Sequence, residues 1–183
     1  MEKILDPVKR EKLVAELKFC KLIKKTFRRG NEIYSFVATD APTLMVEVGR
    51  LREEAFRMIG AGSGNSIDLD EFDTGDFPYR QLIVWNPRDK EIIGGYRYAI
   101  GQKYERNTDS LSMTHYFRFS KKFVADYLPH SIELGRAWVN PLYQSTSGDS
   151  RSIFALDNLW EGIGAIIAEN EKVKYLYGKI TIP

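Results

Sequence analysis

Ile132-Glu133-Leu134-Gly135-Arg136-Ala137-Trp138-Val139-Asn140-Pro141 reads as a buried strand closed by an Asn-Pro turn, with a carboxylate and a guanidinium set three residues apart inside it. Side chains of a strand alternate with a period of two, so an offset of three sends Glu133 and Arg136 to opposite faces. For both to serve one site the strand must carry an extra residue, a β-bulge. Gly135 is the position that tolerates one, so the bulge is expected at Leu134–Gly135, with a backbone N–H freed beside the two charges.

Downstream, Leu142–Arg151 is a polar loop in which Ser150 or Ser152 is expected to cap a helix over Ile153–Asn170, whose apolar stripe is Leu156, Leu159, Trp160, Ile163, Ile166 and Ile167. Tyr175–Ile182 then reads as a strand. A strand–helix–strand unit over 132–182 implies a right-handed crossover and a parallel pair. Upstream, Arg80–Asn86 and Glu91–Ile100 flank Pro87-Arg88-Asp89-Lys90 as a hairpin. In its second strand Ile93, Gly95, Arg97 and Ala99 are expected on one face. Arg97, between small residues, either meets a ligand or faces solvent. Residues 102–114 read as a mobile polar loop, and Lys121–Tyr127 as a helical turn before Pro129.

A helix from Asp40-Ala41-Pro42-Thr43 to about Ile59 carries the stripe Leu44, Val48, Leu51, Ala55 and Ile59, with Arg52 and Phe56 sharing a ridge beside it. Residues 60–78 form a flexible loop. Its Gly60-Ala61-Gly62-Ser63-Gly64 lacks the strand and helix that a phosphate loop needs. Asp68-Leu69-Asp70-Glu71-Phe72-Asp73 lacks the calcium-loop spacing, so no metal is expected; an acidic loop pairing with nearby arginines is. Ile33–Thr39 reads as a strand. Residues 8–28 read as a basic amphipathic helix with Leu13, Leu17, Cys20, Ile23 and Phe27 on one side, ended by Arg28-Arg29-Gly30. That helix either meets an anionic lipid or an acidic partner or packs, solvated, on its own domain. The whole order implies an α/β (α+β) sheet with helices on its faces.

Composition narrows the function classes. The 183 residues suit one domain with an appendage, here 1–30 before a domain over 31–183. The net charge of +2 conceals +6 in residues 1–30, where ten Lys/Arg meet four Asp/Glu, and −4 in the rest. So local an excess argues against a nucleic-acid surface. Two histidines and one cysteine exclude a His/Cys metal cluster and an internal disulfide, and no Gly-x-Ser-x-Gly or Cys/His pairing accompanies them. Neither an apolar run of about 20 residues nor a signal-peptide core is present, so a cytoplasmic protein is expected, with 8–29 as a peripheral contact to the inner membrane face.

The succession Leu51-Arg52…Phe56, Asp70-Glu71-Phe72-Asp73, Ile93-Gly94-Gly95-Tyr96-Arg97, Phe117 and Glu133-Leu134-Gly135-Arg136, closed by Tyr177-Gly178-Lys179-Ile180-Thr181, resembles the GNAT-like N-acyltransferases over about residues 44–183. Within them it is most similar to the ornithine- and glycine-lipid synthase ("hemolysin-like") branch, which shares its skeleton with acyl-homoserine-lactone synthases. The resemblance implies a mixed twisted sheet with helices on both faces, and transfer of a fatty acyl group from an acyl-carrier-protein thioester to the α-amine of an amino acid. It implies Glu133 as general base, Arg136 as holder of the charge network and an oxyanion donor near Gly135. Arg97, Arg52, Phe56, Phe117 and Trp138 would then line the substrate side, with Arg97 holding the amino-acid carboxylate and Asp70 and Asp73 ordering the loop over it.

Two departures qualify the resemblance. Enzymes of the family that use coenzyme A carry Arg/Gln-x-x-Gly-x-Gly/Ala where this chain has Gln144-Ser145-Thr146-Ser147-Gly148-Asp149-Ser150-Arg151, so a carrier-protein donor is favoured over coenzyme A and no bound cofactor is expected. The family fold also continues beyond the strand that ends at Pro183, so either the chain is part of a longer enzyme or a homo-oligomer covers the open edge. The alternatives are an acyl-homoserine-lactone synthase, which needs S-adenosylmethionine, and a non-catalytic lipid- or partner-binding module on the same scaffold.

Overall fold

The computed structural model describes residues 1–27, 30–144 and 150–179, with only the backbone for 150–153. Its centre is a six-stranded sheet in sequential order: β1 (Lys21–Lys25), β2 (Glu32–Phe36), β3 (Arg80–Asn86), β4 (Glu91–Ile100), β5 (Ser131–Val139) and β6 (Tyr175–Gly178). Neighbours from β1 to β5 pair antiparallel; β5 and β6 pair parallel across α4 (Ser150–Glu169), as the strand–helix–strand pattern requires. α1 (Arg10–Leu17) and α2 (Pro42–Arg57) cover one face through Leu13, Leu17, Leu44, Val48 and Leu51, packed on Phe36, Ile83, Trp85 and Trp138. α4 covers the other through Leu159 and Ile166, packed on Ile33, Leu82, Val84 and Ile132. The protein is mixed α/β with helices on both faces.

The hairpin strands β3 and β4 occupy the expected residues, and α2 starts with Pro42 in its first turn, where the missing N–H costs nothing. Several expectations need correction. The helix over 8–28 is two elements: it stops at Leu17, and Lys21–Lys25 joins the sheet as an edge strand against β2, so the sheet begins before residue 31. Gly30, at φ +64, makes the turn between β1 and β2. Lysines suit an edge because they resist further pairing. They are also knit to the domain, Lys21 to Glu169, Lys24 to Glu161 and Lys25 to Glu32, which reduces the free positive charge on this face. Phe27 is exposed rather than part of an apolar stripe, and Arg28 and Arg29 lie outside the described residues.

Ile93 leaves the face of Gly95 and Arg97. The β3–β4 register shifts between Val84 and Trp85, and Ile93 packs on the α4 side instead. The loop 102–114 is built of short 3₁₀ turns around a fully buried Leu111. At the C-terminal side, α4 starts at Ser150 itself, so neither Ser150 nor Ser152 precedes it as a cap. Of the strand expected over Tyr175–Ile182, residues 180–182 lie outside the described residues.

Glu53 holds the loop after α2 in place. Its buried carboxylate accepts hydrogen bonds from the Ser63 amide and hydroxyl (2.9 and 2.7 Å), the Gly64 amide (2.9 Å) and Arg57 (2.6 Å). Burial alone would raise its pKa; these donors outweigh it and lower it to about 2. A depressed carboxylate stabilises the fold above its unfolded pKa of about 4.3, and the contribution fades as the pH falls through the folded value. Glu53→Gln should therefore cost about 2 kcal/mol near neutral pH, and urea titrations should show the gap to wild type shrinking below about pH 4.

Candidate functional site

β5 carries a bulge, at Arg136–Ala137 rather than at the expected Leu134–Gly135. Arg97 pairs with Gly135 and Gly95 with Trp138, so Arg136 and Ala137 together oppose Tyr96. Arg136, not Gly135, takes the left-handed backbone, at φ +49. That conformation costs a non-glycine residue about 1–2 kcal/mol, so something must hold Arg136 there. Gly135 has a different role: a Cβ at this position would meet no atom within 4 Å, because the residue borders open space.

What holds Arg136 is a closed ring of six charges. Its Nη2 donates to Asp70 (3.1 Å) and pairs with Asp68 (3.2 Å). Asp68 also accepts from Arg52 Nε at 3.0 Å. Arg52 grips Asp73 with both terminal nitrogens, each at 3.0 Å. Asp73 then meets Arg97 Nη1 at 3.2 Å, and Arg97 donates to Asp70, which closes the circuit. Each guanidinium bridges two carboxylates and each carboxylate two guanidinia. Arg97 also lies over the rings of Phe72 and Tyr79, 5.4 Å from each. Burial would raise the pKa of Asp73, but Arg52 and Arg97 outweigh it and hold the carboxyl below its usual range. The acidic loop pairs with arginines as its sequence suggests, and Asp70 and Asp73 cap the short helix α3 (Glu71–Thr74) with a reciprocal box.

Glu133 stands apart from the ring. It is 1% exposed, and no cation lies within ion-pair distance among the described residues. Hydroxyls meet it instead: Ser112 donates to one oxygen and Tyr177 to the other at 3.2 Å. Burial, reinforced by the Glu133 charge, raises the pKa of the Tyr79 and Tyr177 phenols, and pushes that of Tyr104 up to about 12, so all three stay protonated beside the carboxylate.

Two cavities flank the bulge. A polar one of about 260 Å³ is bordered by Asp70, Arg97, Ser112, Gly135, Arg136 and Lys179. An apolar one of about 410 Å³ is bordered by Phe56, Tyr96, Trp138, Val139, Leu156 and Leu159, between α2 and α4. Successive residues of one strand thus border chambers of opposite character: Gly135 and Arg136 the first, Ala137 and Trp138 the second.

The expected site residues divide accordingly. Gly135, Arg136, Arg97 and Asp70 come together at the polar cavity. Phe56 and Trp138 border the apolar one. Arg52 does not project with Phe56: it has no exposed surface and serves the ring, as does Asp73. Phe117 is exposed and borders neither cavity, and its neighbour Tyr116 occupies the polar one. Ser112 carries no sequence signal, since a serine in a polar loop resembles any other. Tyr177 could have been found from parallel pairing, which sets it opposite Glu133.

Arg52→Met should cost about 3–5 kcal/mol, because it leaves Asp68 and Asp73 buried with a partner missing. Gly135→Ala should stay within about 0.5 kcal/mol of wild type, since the added methyl enters open space. Urea unfolding measures both.

Residues 51–152 match the acetyltransferase (GNAT) domain family. Two proteins called glycine N(alpha)-acyltransferase, from Bacteroides thetaiotaomicron and Phocaeicola vulgatus, are 48% and 46% identical to the chain over 185 positions. These matches take in 100% of the chain but 55% and 57% of the two relatives, so the chain spans a little over half the length of the curated proteins it matches. No solved structure matches it. With the family matched over more than half of its length, the chain belongs to the acetyltransferase (GNAT) domain family.

Proposed function

We propose that this chain forms the reaction centre of an amino-acid N-acyltransferase, which moves a fatty acyl group from an acyl-carrier-protein thioester to the α-amine of glycine. The observation that carries this reading is the pair of cavities on either side of the β5 bulge, with the buried Glu133 reached from the polar one through Ser112. The polar chamber takes a small zwitterion; the apolar one takes an acyl chain. Glycine is favoured among amino acids by the names of the two relatives. The carrier protein is favoured as donor by the departure of residues 144–151 from the coenzyme A pattern, of which 145–149 lie outside the described residues. The product would be amphiphilic, which places the reaction beside the inner membrane face. Among the described residues no helix is long and apolar enough to cross a membrane.

The chemistry requires the ammonium to lose a proton before its nitrogen attacks the thioester carbonyl. Glu133 receives that proton through the Ser112 hydroxyl, which borders the cavity and donates to the carboxylate. The new C–N bond forms as the carbonyl oxygen becomes an oxyanion. An N–H left out of the ladder by the bulge at Arg136–Ala137 is its proposed donor. The oxyanion then re-forms the carbonyl as the C–S bond breaks, and the sulfur leaves as a thiol with the second proton shed by the attacking nitrogen.

Full-length protein incubated with acyl carrier protein carrying a fatty acyl thioester should acylate glycine; formation of product from S-adenosylmethionine, and none from glycine or ornithine, would replace this reading with lactone synthesis. Glu133→Gln should keep its fold and lose activity by at least about 10²-fold, the usual scale of general-base catalysis, with a smaller loss for Ser112→Ala. Near-wild-type turnover by Glu133→Gln would remove Glu133 from the mechanism.

A further inference from the structure

We infer that Lys179, with the Tyr116 hydroxyl beside it, is the subsite for the carboxylate of the amino-acid acceptor; this rests on the reading of the polar cavity as the acceptor chamber. A zwitterionic acceptor needs a cation for its carboxylate as well as a base for its amine. Arg97, expected in that role, donates from Nη1 to both Asp70 and Asp73, and the three guanidinia and three carboxylates of the ring cancel. Arg136 belongs to the same balance. His115, also at the cavity, faces Glu71 at 3.9 Å. Lys179 is the one cation bordering the chamber without a carboxylate partner among the described residues.

Among the described residues its polar contacts are with Tyr116: the ammonium donates to the phenol oxygen at 2.8 Å and sits 4.0 Å from the ring centroid. That hydrogen bond, with the positive charge behind it, lowers the Tyr116 pKa. The pair thus offers a positive charge and a hydroxyl donor to an arriving anion. Its position fits the reaction. Tyr177, two residues earlier, donates to Glu133, and Ser112, the proposed relay, borders the same chamber. An acceptor with its carboxylate on Lys179 can therefore turn its amine toward Ser112. Arg97 and Arg136 each keep a buried Nε without an acceptor, so the same wall has further unmet donors.

An acyl-donor phosphate would suit an ammonium equally well, and kinetics on the full-length protein separate the two. Glycine and glycinamide, which lacks the carboxylate charge, are compared as acceptors at saturating acyl-carrier-protein thioester. Wild type should prefer glycine. Lys179→Met should raise KM for glycine about tenfold, the scale of one charged hydrogen bond, while leaving glycinamide and the donor KM unchanged. Lys179→Arg should restore most of the preference. Retention of the glycine preference in Lys179→Met, or a rise confined to the donor KM, overturns the subsite while leaving the acyltransferase reading intact. Wild type that acylates neither acceptor removes that reading and the subsite with it. Lys179 is exposed, so these variants should fold, which circular dichroism checks.

Discussion

The alternation of charge around Arg52, Asp68, Arg136, Asp70, Arg97 and Asp73 is the constraint on which the site depends. These six side chains come from α2, the acidic loop and α3, β4 and β5, four segments that the ring ties together. Desolvating one guanidinium or one carboxylate costs several kcal/mol, and a single partner rarely compensates for it. Here every member has two partners of opposite sign, so the ring tolerates burial only when complete. That makes it a device for specifying one arrangement: the loop carrying Asp68 and Asp70 has one place where its charges are met, and Arg136 is drawn into a backbone conformation it would otherwise avoid. The bulge and the ring are one feature seen from two sides.

The same closure separates the functions of like groups. Asp68, Asp70 and Asp73 are carboxylates each paired with two guanidinia, and at Asp73 the arginines hold the carboxyl below its usual range. Glu133, next along the same face of the sheet, has hydroxyl neighbours and no cation among the described residues. A carboxylate held by hydroxyl donors can exchange a proton with one of them without breaking an ion pair. Residue type does not distinguish Glu133 from the aspartates. What surrounds each of them does.

Much of this was legible in the chain because it rests on local rules. Apolar runs either side of Pro87-Arg88-Asp89-Lys90 mark β3 and β4, Pro42 marks the start of α2, and the three-residue offset between Glu133 and Arg136 calls for an irregular strand if both face one side of the sheet. The exact place of the irregularity was not, because glycine is the default residue for a left-handed backbone and here Arg136 adopts it under tertiary pull from Asp68 and Asp70. β1 was hidden for a related reason: Leu13, Leu17 and Cys20 continue the helical period past the real end of α1, and only pairing with β2 turns the lysine-rich segment into a strand. The role of Arg52 required knowing that α2 lies against the acidic loop. Ser112 required knowing where a 3₁₀ turn delivers its hydroxyl.

The sheet itself explains why the chemistry sits where it does. β5 and β6 pair from Ser131 with Tyr175 to Leu134 with Gly178, and no described strand continues along that side of β5. Gly178 permits the last contact, since a Cβ there would approach the Leu134 carbonyl to 2.3 Å. Glu133 and Tyr177 therefore occupy the penultimate rung, held as firmly as a sheet interior allows, while Gly135 to Val139 run on past it and border the two cavities. A base must be fixed in position and substrates must be admitted, and these needs conflict within regular structure. With Glu133 as the proposed base, β5 holds it where both sides of the strand are paired and carries the proposed binding surfaces, bulge included, where only β4 pairs with it.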